Sequence, residues 1–166
     1  MNDPSVMKDS SVMGMTDSPK NALAAEAVDT RYLESLMGYN ARRASLKIIE
    51  LFSSRMTVYG LRPVDFSVLS LITHNPGITS RQLCSALNIL PPNLVGKIVA
   101  LEKRHLIDRQ PHPQDGRALG LYLTHAGVAL MASAERIATE LENEATQRLS
   151  ATEKRTLLRL LQKIYR

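Results

Sequence analysis

Tryptophan is absent from this chain, phenylalanine occurs twice and cysteine once. A single thiol, Cys84, excludes an internal disulfide and a cysteine-based zinc cluster. No apolar run approaches the roughly 20 residues needed to cross a bilayer, so no membrane partner is expected. Residues 1–20 hold no sustained apolar core and do not read as a secretory leader, which makes a cytoplasmic location the expectation. Metalloprotease, nucleophile-elbow, Walker and dinucleotide patterns are all missing, and His74, His105, His112 and His125 have no convincing ligand spacing. The sequence therefore predicts no catalytic site, no metal and no cofactor.

What the chain does have is ordinary bulk and an uneven charge. Its 166 residues are 44% hydrophobic, and a chain of this length buries roughly two-thirds of its unfolded surface without staples. Residues 1–30 carry two basic and five acidic side chains, net −3. Residues 31–62 carry six basic against two acidic, net +4, and residues 77–124 six against three, net +3. A basic body behind an acidic tail suits a polyanionic partner.

Residues 1–29 read as a flexible tail, poor in β-branched and aromatic side chains. Residues 30–57 read as one long helix, with Leu33, Leu36, Met37, Ala44, Ile48, Leu51 and Phe52 at three- and four-residue steps. Pro63 suits a first helical position, and the helix it opens should bury Val64, Val68, Leu69, Leu71 and Ile72 before stopping at Asn75-Pro76-Gly77. Thr79-Ser80-Arg81-Gln82 has the form of a capping box. The short helix behind it should bury Leu83, Ala86 and Leu87, and Asn88 should close it in the left-handed conformation. Pro91-Pro92-Asn93 restarts a helix anchored by Leu94, Ile98 and Leu101.

After His105 the period drops to two, giving strands at 106–110 and 119–123 around a tip rich in turn formers, Pro111 to Arg117. Thr124 caps a long helix through Val128, Met131, Ile137, Leu141 and Ala145. Ser150-Ala151-Thr152-Glu153 is a second capping box, opening a last helix with Leu157, Leu158, Leu160, Leu161 and Ile164. The fold class is thus mainly α with a small antiparallel β-wing. Two short helices and a hairpin make a winged helix-turn-helix, whose second helix enters a major groove and whose hairpin reaches the flanking backbone or minor groove.

The stretch Asp115-Gly116-Arg117-Ala118-Leu119-Gly120-Leu121-Tyr122-Leu123-Thr124-His125-Ala126-Gly127 resembles the wing signature of the MarR family of bacterial regulators, D-x-R followed by L-x-L-T-x-x-G. Leu87-Asn88-Ile89 and Leu101-Glu102-Lys103-Arg104-His105-Leu106-Ile107 are similar to that family's recognition-helix boundaries. The likeness spans about residues 30–166. His105 stands where the family usually has glycine, and end capping is its expected role.

The resemblance implies a DNA-binding lobe at 58–124, flanked by a dimerisation helix at 30–57 and further dimerisation helices at 125–166. Terminal helices of two copies would intertwine about a two-fold axis. The partners implied are double-stranded DNA, a second copy of the chain and a small effector. A two-fold protein calls for a pseudo-palindromic operator, and repression is the family's usual mode. Surplus apolar surface at both ends of the chain agrees with a dimer.

For DNA the expected residues are Arg81, Pro92, Asn93, Val95, Gly96, Lys97, Arg104, Asp115 and Arg117. In the family the wing arginine enters the minor groove, a role that falls on Arg117. Arginine there meets concentrated negative potential, and Asp115 holds the loop by pairing or capping. Asn93 can read adenine, Val95 or Pro92 can touch a thymine methyl, Lys97 can reach guanine or phosphate, and Gly96 allows close backbone approach.

Family members commonly respond to phenolic or aromatic acids, or their acyl-CoA forms, in a cleft between the dimerisation helices and the DNA-binding lobe. Tyr39, Arg43, Met56, Tyr59, Phe66 and His74 are the expected lining, since a cation beside an aromatic ring suits an aromatic carboxylate. Two other readings stand beside this one. Cys84, with Arg81 three residues away, would serve a redox sensor, although a structural thiol is favoured. A winged helix can also serve protein contact, which a salt-independent association would indicate.

Overall fold

The computed structural model describes residues 28–112 and 115–166, the side chains of 115–117 excepted. The expected tail lies almost wholly outside the described residues, as do the tip positions Pro113 and Gln114. Seven helices and three strands follow in the order α1 (Arg31–Glu34), α2 (Met37–Met56), α3 (Pro63–His74), β1 (Ile78–Thr79), α4 (Ser80–Leu87), α5 (Pro91–Lys103), β2 (Ile107–His112), β3 (Asp115–Leu123), α6 (His125–Ala145) and α7 (Ala151–Tyr165), with a 3-10 turn, Thr57–Tyr59, after α2.

Local chemistry accounts for most of the boundaries. Pro63 and Pro91 open α3 and α5, where a missing N–H costs nothing. Thr79 and Ser150 form reciprocal capping boxes with Gln82 and Glu153. Thr124 Oγ1 accepts from the Gly127 N–H at 3.0 Å and so starts α6. Asn88 closes α4 at φ 50°, and His105 follows α5 at φ 54°, a backbone region that polar residues tolerate better than bulky ones.

The single long helix expected over 30–57 is broken. The Asn40 amide donates to the Glu34 and Leu36 carbonyls at 2.7 and 2.8 Å, and Ser35 Oγ donates to the Tyr32 carbonyl. These local bonds compete with the helical ladder and separate α1 from α2.

The sheet has the order β1-β3-β2, antiparallel throughout, with Ile78 opposite Leu121 and Ile107 opposite Leu123. Its register slips between Pro111 and His112. One core runs under it. Val68, Leu69 and Ile72 of α3 meet Leu83, Leu94, Ile98 and Leu101 of the two short helices, Ile107 and Leu121 of the sheet, and Met131, Ala134 and Leu141 of α6. Phe52 and Met56 bring the end of α2 into the same cluster.

Three side chains expected inside are outside. Val64 is 40% and Val128 55% exposed, and Ala86 is exposed as well. Each flanks its helix's buried stripe, which intramolecular packing covers less widely than periodicity alone suggests. No residue of α7 is buried. Leu33, Leu36 and Met37 at one end, and Leu157, Leu158, Leu160 and Ile164 at the other, all face solvent in the single chain.

Candidate nucleic-acid interface and adjoining cleft

Helices α4 and α5, with the β2–β3 hairpin, form one face of the molecule. Leu94, Ile98 and Leu101 are almost wholly buried and fix the inner side of α5. That leaves Pro92, Asn93, Val95 and Gly96 exposed on its first two turns, with Arg81 exposed on α4. A Cβ added at Gly96 would meet nothing within 4 Å, so the α5 backbone is open to a partner at that point. Asp115, Gly116 and Arg117 belong to β3 at the hairpin, and their side chains lie outside the described residues.

Two of the expected contact residues are engaged within the protein. Lys97 Nζ lies 3.0 Å from Asp65 Oδ1, with the pair half-buried. Arg104 donates to the carbonyls of Tyr59 and Gly60, both at 2.8 Å.

The hairpin is joined to α5 by a pair that the periodicity did not signal. Arg109 on β2 makes two bonds to the Glu102 carboxylate, Nε at 2.6 Å and Nη2 at 2.9 Å. Such fork-to-fork pairing fixes direction as well as distance. The hydrogen bond to Glu102 also raises the Arg109 pKa, so its charge is permanent at any physiological pH. This pair ties the strand β2 to the helix α5. Seven residues separate the partners along the chain, and only the turn at His105 brings them face to face.

A cleft of about 640 Å³ lies on the other side of α3, between α2, α6 and the start of α7. Ile48, Ile49, Phe52, Pro63 and Phe66 supply an apolar wall, and the Phe52 and Phe66 rings meet edge to face at 5.5 Å. Polar groups converge at one end. Ser70 Oγ donates to Glu135 Oε1 at 2.9 Å, and His74 Nε2 lies 3.0 Å from the same oxygen. At the other end Lys154 Nζ donates to Asn143 Oδ1 at 2.8 Å.

Of the six residues expected to line a cleft, the structure brings together Phe66 and His74. Met56 is wholly buried in the core. Tyr59 packs against that core and offers its carbonyl to Arg104. Tyr39 and Arg43 lie nearer the start of α2, outside the lining. Ser70, Glu135 and Lys154 escaped the sequence reading because they converge from three helices. Glu135 is 61 residues from His74, a separation that no local pattern encodes.

Cys84 is half-buried on α4 and packs against the core. Among the described residues no group of three or more His, Cys, Asp or Glu is placed to hold a metal ion. No single helix among them is long and apolar enough to cross a membrane.

Comparisons with known proteins converge on one family. The model of the MarR family matches residues 59–118, from the end of the 3-10 turn to the wing. A protein of Thauera aromatica, named as a transcriptional regulatory protein for the hcr operon, is 30% identical over 149 residues, 89% of each chain. The transcriptional repressor CouR bound to a 23-mer DNA duplex is 36% identical with a TM-score of 0.78, covering 84% of this chain and 99% of its own. CouR bound to p-coumaroyl-CoA is 35% identical at a TM-score of 0.75, with the same coverage. With a winged helix, an exposed α5 face and relatives matched along nearly their whole length, this chain belongs to the MarR family of transcriptional regulators.

Proposed function

We propose that the protein is a homodimeric repressor that grips a pseudo-palindromic operator and is released by a small aromatic acid or its thioester. The observation that carries this reading is the pairing of an exposed α5 face with uncovered apolar helices at both chain ends. Exposed apolar side chains on α1, the start of α2 and α7 are surface of the kind that marks an association site. A second copy bound through these helices would set two α5 helices about one DNA turn apart.

Within this reading, Asn93, Val95, Gly96 and Pro92 face base edges, Arg81 faces backbone phosphate and Arg117 enters the minor groove. Asp115 steadies the hairpin that carries Arg117.

The cleft suits the effector on chemical grounds. An aromatic ring fits against Phe52 and Phe66, and its size is within the range of small-molecule sites. A phenolic hydroxyl would donate to Glu135 beside Ser70 and His74, and an anionic group would meet Lys154. CouR, the relative with p-coumaroyl-CoA bound, supports a thioester.

Genomic footprinting with purified protein, followed by challenge with a panel of aromatic acids and their thioesters, tests the proposal. Protected promoters that a subset of the panel clears are expected. Protection unaffected by any aromatic compound would remove the effector assignment while leaving the repressor.

A further inference from the structure

Arg104 closes α5 with its guanidinium turned back into the protein. Nη1 donates to the Gly60 carbonyl and Nη2 to the Tyr59 carbonyl. Those carbonyls belong to the 3-10 turn that continues α2, so they lie at a helix C-terminus, where unpaired acceptors accumulate and a cation is favoured. The seat is shaped for this fork. Gly60 holds φ 59°, and a Cβ added there would stand 3.3 Å from Arg104 Nη2. Seven residues earlier on α5, Lys97 ties to Asp65 in the first turn of α3. Two cations of the reading helix are therefore spent on the corner between α2 and α3, and Lys103 stays exposed.

We infer that Arg104 is a positioning residue for operator reading and not a contact to DNA. With Lys97 beside it, Arg104 sets the angle at which α5 presents Asn93, Val95 and Gly96. The inference rests on the operator-binding reading proposed above. It separates from a phosphate contact in one measurable way. A side chain that neutralises a phosphate releases counterion, so its loss from both protomers of a dimer lowers the log–log salt slope by about 2. A side chain that only orients the helix changes affinity and leaves that slope alone.

The experiment selects a duplex with the wild-type dimer from a random-sequence library, then measures its Kd against salt for wild type, Arg104→Gln, Gly60→Ala and the double variant. Urea denaturation of each checks the fold. Arg104→Gln should weaken binding about tenfold, the scale of a lost charge-assisted pair, at unchanged slope. Gly60→Ala keeps every charge but crowds the seat, and should weaken binding likewise. The double variant should bind no more weakly than the worse single variant, because both act on one seat.

A slope shallower by about 2 in Arg104→Gln, with Gly60→Ala at wild-type affinity, would overturn the inference. If Arg104→Gln does not fold, Arg104→Lys decides. Lysine keeps the charge but cannot fork across two carbonyls, so wild-type affinity in that variant means contact, and weakened affinity at constant slope means positioning. A wild type that selects no duplex would defeat the operator reading itself, and this inference with it.

Discussion

Replacing Gly127 with alanine should pry α6 away from the foot of the wing. A Cβ there would lie 2.1 Å from the Leu106 carbonyl oxygen, whereas carbon and oxygen settle at about 3.3 Å or more. The obstacle is backbone, so no side chain can swing aside. Relief requires the first turn of α6 to retreat by about 1 Å, and two bonds stand in the way. Thr124 N–H donates to that same Leu106 carbonyl at 3.1 Å, and Thr124 Oγ1 donates to the His105 carbonyl at 2.6 Å. Overpacking costs about 1–3 kcal/mol, and each weakened hydrogen bond adds about 1 kcal/mol. We expect a loss of about 3 kcal/mol in urea unfolding, measured at fixed protomer concentration because the proposed dimerisation would contribute to stability. Operator affinity should fall too, since Leu106 leads directly into β2. A change under about 0.5 kcal/mol, within the range of neutral surface substitutions, would refute the reasoning.

Arg117→Ala should weaken operator binding by about 1–3 kcal/mol while urea unfolding stays as in the wild type; retained affinity would show the wing idle. Glu102→Gln and Arg109→Gln, alone and together, form a cycle. Both side chains are about one-third exposed, so solvent screening discounts the pair, and a coupling of about 1 kcal/mol is expected in stability. Glu153 has its pKa lowered by hydrogen bonds from Ser150. Its contribution to the start of α7 is therefore complete above the ordinary glutamate range and disappears as pH falls through the lowered value. Glu153→Gln, which preserves the cap geometry, should lose that acid sensitivity in dimer dissociation followed by sedimentation. Mild oxidant should leave operator affinity unchanged, as expected of a thiol packed on the core; a large loss that Cys84→Ser abolishes would make the thiol a sensor.

The helical layout was legible because its signals are local. Two capping boxes, prolines at helix starts and Asn88 at a helix end depend on neighbours within four residues. The wing was legible as a change of period, but β1 was not. Two residues, Ile78 and Thr79, pair with β3 only because α3 and α4 deliver them there, and Thr79 already carried a complete account as a cap. The break at Ser35 was hidden for a related reason. Apolar spacing runs straight through it, while the Asn40 side chain that rewards the break leaves no periodic trace. The site divides the same way. Exposure of Asn93, Val95 and Gly96 follows from the burial of Leu94 and Ile98 on one helix. By contrast, the partners of Lys97 and Arg104 come from residues more than thirty positions away. So do those of Glu135, which is why charge and type alone gave no sign of the internal partners of Lys97 and Arg104 and missed the polar end of the cleft.

Hydroxyl-radical protection of a selected duplex tests the central claim most directly. Two α5 helices related by a two-fold axis should shield two tracts whose centres lie about 10 base pairs apart, with matching half-site sequence beneath each. One isolated tract, or protection without a repeated half-site, would contradict the paired-reader account.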